Sequence, residues 1–159
     1  MSDHIRRVIL RWLARRDYSQ QEIRQKLKLK GAEQEIDTVL SELVQMGLIN
    51  DSRFAENYIR WRCAKGFGPL RICLELQARG LTNEMIAEHL NITDNAWIIN
   101  ARAIWQKHFK ASKPADFKQR AKQMRFLQYR GFTQEQINNA LELDVVEEDP
   151  RYNSSDTYD

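Results

Sequence analysis

The 159 residues carry 25 lysines and arginines against 22 acids, with two cysteines, and no apolar run approaches the roughly 20 residues of a membrane span. That excludes a spanning helix, a disulfide framework and a zinc site built on cysteine pairs. The net charge of +3 hides a gradient: from Asp144 onward six acids face Arg151 alone, which leaves 24 basic and 16 acidic residues in 1–143, a surplus of eight. A basic body with an acidic tail suggests a polyanionic partner or an acidic groove.

The periodicity predicts helices throughout and no sheet. In chain order they run over roughly 3–16, 19–30, 33–46, 52–65, 69–79, 82–90, 94–109, 115–130 and 133–142. The first carries Ile5, Val8, Ile9, Trp12 and Leu13 on one face, and the third Ile36, Val39, Leu40, Leu43 and Val44. The seventh carries Ile98, Ala101, Ile104, Trp105 and His108. Ser19 with Glu22 forms a capping box flanked by Tyr18 and Ile23 as a hydrophobic staple. Thr82 repeats the arrangement with Leu81 and Ile86, and Thr133 with Gln136, Phe132 and Ile137. Gly31, Gly80 and Gly131 suit the left-handed residue past a helix end, each preceded by Lys30, Arg79 or Arg130. Gly47 and Gly66 end two more helices, and Pro69 after Gly68 suits a first helical position.

These stops expose a repeat. Leu-x-x-[Lys/Arg]-Gly occurs at 27–31, 76–80 and 127–131, with glycines 49 and 51 residues apart. A period of this size marks a tandem array whose units bury their apolar faces on one another. The expected domains are repeats at 1–50, 51–92 and 93–143, each of three helices, and a disordered acidic tail at 144–159. Residues 111–115 are the expected flexible joint, and Cys63 and Cys73 are expected as reduced thiols, one or both in the core.

Catalytic signatures are missing. His4, His89 and His108 are scattered, no Gly-x-Ser-x-Gly elbow occurs, and Gly66-Phe67-Gly68 lacks the strand and the Lys-Ser or Lys-Thr of a phosphate loop. No enzyme activity, cofactor or metal is expected. Cations are plentiful instead. Arg7, Arg11 and Arg15 lie at i, i+4 and i+8 with few acids nearby to pair them. Arg60, Arg62, Lys65 and Arg71 cluster around one turn, and Lys118, Arg120, Lys122 and Arg125 follow in the third repeat. Arginine forks of this kind grip phosphates or carboxylates. Phe54, Tyr58 and Trp61 read as core at helical spacing.

Several segments together resemble the RecX family of bacterial regulators of the RecA recombinase. They are Arg16-Asp17-Tyr18-Ser19-Gln20-Gln21-Glu22-Ile23 then Leu27 to Gly31, Gly47-Leu48-Ile49-Asn50-Asp51 with Phe54-Ala55, and above all Lys65-Gly66-Phe67-Gly68-Pro69-Leu70-Arg71-Ile72. Glu75-Leu76, Arg79-Gly80 and Arg125-Phe126-Leu127-Gln128-Tyr129-Arg130-Gly131-Phe132 complete the match over roughly 5–143. The resemblance implies an all-α, elongated and curved rod of three tandem three-helix repeats. It implies binding in the groove of the RecA–single-stranded DNA filament, touching more than one protomer, with reduced ATP hydrolysis, strand exchange and co-protease activity, hence control of recombination and the SOS response. Separately, the lack of a membrane span, and Arg6, Arg7 and Arg11 breaking up the first apolar stretch, make the cytoplasm the default compartment, and a monomer is expected. It covers nothing of the acidic tail, which could compete with DNA for the basic face. Partner and DNA contacts are expected at Arg7, Arg11, Arg15, Arg60, Arg62, Lys65, Arg71, Lys122 and Arg125, with Gly31, Gly66, Gly68, Pro69, Gly80 and Gly131 as structural residues. A stand-alone nucleic-acid binder and a protein-binding helical scaffold remain as competing readings.

Overall fold

A computed structural model of the chain describes residues 2–28 and 33–148. The Gly31 helix stop with Lys30, and the acidic segment 149–159, lie outside the described residues.

All described secondary structure is helical: α1 Ser2–Leu13, α2 Gln20–Lys28, α3 Glu33–Gln45, α4 Asp51–Ala64, α5 Pro69–Ala78, α6 Asn83–His89, α7 Ala96–Phe109, α8 Phe117–Arg130 and α9 Gln134–Glu148. No described helix is long and apolar enough to cross a membrane. Helix α9 runs six residues past the expected end at 142, into the segment read as tail. No glycine or proline intervenes before Pro150, so nothing in the chain stops the helix sooner. Helix α1 stops three residues short of its expected end, with Arg15 N donating to Trp12 O at 3.0 Å in a tightened last turn.

The caps explain the boundaries. Ser19 N donates to Glu22 and Glu22 N to Ser19 Oγ, both at 3.1 Å, a reciprocal box. Thr133 and Gln136 repeat it at 3.0 and 3.1 Å. Thr82 makes only half, accepting from Met85 N at 3.2 Å, because a methionine has nothing to return. Four helices end in one way. After Gly47, Gly66, Gly80 and Gly131, all with positive φ, the next residue's N–H reaches back to Leu43, Arg62, Leu76 and Leu127 O.

The chain divides into two compact units. The first is Met1–Trp61 with Cys73–Leu90, and the second is Arg62–Ile72 with Asn91–Asp159. The middle repeat therefore contributes to both. In the first unit α1 and α2 pack on α3 around Ile9, Ile23, Leu27, Ile36, Val39, Leu40, Leu43 and Ile49. Val44, expected on the core stripe, is exposed instead. In the second unit α7 packs on α8 and α9 around Trp97, Ala101, Trp105, Leu127, Phe132 and Ile137. Trp105 Nε1 donates at 2.8 Å to the buried Gln123, whose amide donates to Ser112 O at 3.0 Å. That bond ties down the 111–115 segment expected to be a joint. His108 leaves the core stripe for the surface, and Trp97 takes a core place the periodicity did not assign it.

The repeat glycines sit where one repeat meets the next. In the first unit a Cβ on Gly80 would lie 2.4 Å from Gln21 Cβ, and beside it Ser19 Oγ donates to Arg79 O at 2.8 Å. In the second unit Gly68 N donates to Arg130 O at 2.7 Å and Leu70 N to Gly131 O at 2.9 Å. The turn before α5 is thus laced by its backbone to the turn before α9. A Cβ on Gly68 would meet Gly131 C at 2.5 Å, and one on Gly131 would meet Arg71 Cβ at 2.4 Å. Pro69, fully buried, opens α5 beside this joint.

Candidate functional site

The first unit neutralises its own charge. It holds twelve basic and twelve acidic residues. Arg6 pairs with Asp3 and Glu42, Arg24 with Asp37, Arg16 and Arg79 with Glu22, and Arg53 with Asp17. A groove of about 500 Å³ runs between Arg16, Arg79, Tyr58 and Trp61, and Trp61 is half exposed, not core as expected. Its cations are already committed: Arg16 lies 3.7 Å from the Tyr18 ring centroid and Arg79 4.6 Å from that of Tyr58.

The second unit does the opposite. Residues 62–72 and 91–142 hold twelve basic residues against four acids, a surplus of eight. The whole excess of 1–143 therefore belongs to this unit, tempered by the acids that follow on α9.

At its centre is Phe67, in the turn that Gly66 and Gly68 shape. The guanidiniums of Arg62, Arg71 and Arg130 lie 3.8, 4.3 and 5.1 Å from its ring centroid. Arg130 also donates to Lys65 O at 3.3 Å and lies 5.2 Å from the Phe126 ring, on which His108 stacks at 3.9 Å. Arg130, Phe126 and His108 border, with Lys65 and Lys107, a groove of about 330 Å³. Three like charges share one phenyl ring because its electron-rich face offsets part of their repulsion. No carboxylate of the described residues lies within ion-pairing distance of Lys65, Arg71, Lys107 or Arg130. Those four cations can take an anion without first breaking an ion pair with a described carboxylate.

Of the expected contacts, Arg62, Lys65 and Arg71 are brought together here. Arg71 is also a packing residue, its backbone and Cβ lying against Gly131. Lys122 and Arg125 lie on α8 of the same unit, exposed. Arg7 and Arg11 are exposed on α1, Arg15 is exposed in the turn after it, and Arg60 is exposed on the part of α4 in the first unit. Phe67, Lys107 and Tyr129 were not foreseen, and Arg130 was read only as a helix-end cation. Their signal was faint: Phe67 lies between the two glycines of the most specific motif, and Arg130 beside a repeat glycine. Cys63 and Cys73 are free and half-buried, outside the core, and burial pushes the Cys63 thiol up.

Family models describe three successive matches: the first three-helix domain of RecX at 6–43, the second at 50–90 and the third at 100–141. The regulatory protein RecX of Pseudomonas entomophila is 38% identical over 138 residues, covering 86% of this chain and 89% of that protein. This chain belongs to the RecX family. The RecX regulatory protein of Halorhodospira halophila is 39% identical over 140 residues, covering 87% of each. The fold is also that of the RecX crystal structure from Lactobacillus salivarius, with a TM-score of 0.77 at 19% identity over 91% of this chain and 97% of that one. A second crystal structure, of a regulatory protein RecX, matches with a TM-score of 0.78 at 20% identity, over 89% of this chain and 73% of that one. The Lys65–Ile72 stretch, quoted for the resemblance, falls within the second matched domain. A regulatory role follows from this membership.

Proposed function

We propose that this protein regulates the RecA recombinase by binding the RecA–single-stranded DNA filament in its helical groove. Binding lowers ATP hydrolysis, strand exchange and co-protease activity, and so restrains recombination and the SOS response. The protein acts in the cytoplasm as a monomer, without catalysis or cofactor of its own. The observation that carries this reading, beside family membership, is the surplus of eight positive charges over 62–72 and 91–142, where Lys65, Arg71, Lys107 and Arg130 have no carboxylate partner among the described residues. The phosphates of the single strand that the filament carries are a polyanion that such a surface complements. The neutral first unit is free to meet protein.

The test is RecA ATP hydrolysis on single-stranded DNA, titrated with this protein at fixed salt, with filament co-sedimentation in parallel. Falling hydrolysis with co-sedimentation, at levels too low to saturate the DNA, is the expected result. Unchanged hydrolysis and no co-sedimentation, from a protein shown to be helical, sink the proposal. Within it, Arg60→Glu with Lys65→Glu weakens filament binding, since both side chains are exposed and their reversal leaves the packing intact. Arg71 is left unmutated because it supports the joint at Gly131.

A further inference from the structure

Helix α8 carries a second basic feature, apart from the Phe67 cluster. Lys118, Lys122, Arg125 and Tyr129 are all exposed and follow one another at intervals of four, three and four residues. At 100° per residue these positions fall within about 60° of helix azimuth, with steps of about 6, 4.5 and 6 Å along the axis. Lys118, Lys122 and Arg125 border a shallow groove of about 320 Å³. None of the three has a carboxylate partner among the described residues. The acid that lines the same groove, Asp116, is engaged as the α8 N-cap, accepting from Gln119 N at 2.8 Å. At the far end Tyr129 is 79% exposed, and the Arg71 guanidinium lies 5.5 Å from its ring centroid.

We infer that this stripe is a track for single-stranded nucleic acid, with phosphates on Lys118, Lys122 and Arg125 and a base stacked on Tyr129. Burial in the fold does not account for Tyr129, whose ring stands out at the end of a row of unpaired cations. A row of cations ending in an open aromatic face is what an unpaired strand uses: charge along the backbone, and a ring for one base. A duplex keeps its bases stacked on each other and has none to offer. The assignment rests on the filament reading and sharpens it, giving α8 the strand.

The test is fluorescence anisotropy of a labelled oligothymidylate with the full chain, over a salt series, without RecA. The wild type binds with a steep salt dependence. Lys118→Glu/Lys122→Glu/Arg125→Glu weakens binding and lowers the log–log salt slope by about 2, at about 0.7 for each phosphate contact on a single strand. Tyr129→Ala weakens binding about tenfold at unchanged slope, and Tyr129→Phe keeps it, as stacking requires. Circular dichroism checks that each variant is folded, and Lys118→Gln/Lys122→Gln/Arg125→Gln repeats the slope measurement without reversed charge. No binding by the wild type, an unchanged slope in the triple variants, or indifference to Tyr129→Ala overturns the assignment. So does displacement by polyglutamate as readily as by unlabelled oligonucleotide, which marks an acidic protein as the partner. RecA hydrolysis measured with the same preparations separates the two readings: a wild type that binds oligonucleotide but leaves RecA unaffected ends the filament proposal and leaves the track standing.

Discussion

Gly68 and Gly47 show how one residue type serves two ends. Gly47 has a φ of +75° and open space around its missing Cβ. Gly68 has no positive φ, but its Cβ would meet three backbone atoms of the 131–132 turn at 2.5 to 2.6 Å. Gly47→Ala should cost about 1 kcal/mol, the price of a left-handed alanine. Gly68→Ala should cost about 2–3 kcal/mol, because backbone cannot move aside as a side-chain tip can. Chemical denaturation of both variants checks the order; equal losses would remove the close-approach account. Asp51 offers a test by pH. Burial holds its carboxyl above the usual 3.8, against the hydrogen bond from Gln20 N that favours the ionised form. The folded state thus binds this proton more tightly than the unfolded chain. Its contribution is complete below 3.8 and is lost as pH rises through the raised value. Asp51→Asn should therefore gain on the wild type in melting temperature across that acidic window and hold the gain above it. A difference that shrinks with rising pH would refute this.

Among the elements, the three cap sites grade themselves. Ser19 is fully buried, makes both halves of its box and donates to Arg79 O. Thr133 makes both halves, and Thr82 makes one. Alanine at each should destabilise in that order, with about 2 kcal/mol for Ser19, about 1 for Thr133 and less for Thr82. Thermal melts of the three variants decide it, and a Thr82 loss as large as that of Ser19 would contradict the grading. The helices were legible because caps and stops are local chemistry, written within four residues of each boundary. Where the reading slipped, local signals were absent. Nothing in 143–148 announces a helix end, so α9 runs on, and Met85 cannot close the box that the threonine before it opens.

For the molecule as a whole, the sequence tells how much charge there is, and the fold decides where it stays unpaired. Arg7, Arg11 and Arg15 looked as compelling in sequence as any cations of the second unit. They lie in a unit with equal numbers of acids and bases. The surplus gathers in the other unit, where Arg62 of α4, Phe67 of the turn before α5, Arg71 of α5 and Arg130 at the end of α8 meet. No spacing rule links position 67 to position 130.

By itself the sequence determined the helices, their caps, the 50-residue period and the glycines that recur with it, because these follow from hydrogen bonds and apolar contacts between near neighbours. Its motifs sufficed for the family. Tertiary structure decided which glycines are joints between repeats, which aromatic rings are core and which stand open, and which cations remain without a carboxylate. Those are outcomes of packing between residues tens of positions apart, and close approach of that kind leaves no periodic trace along the chain.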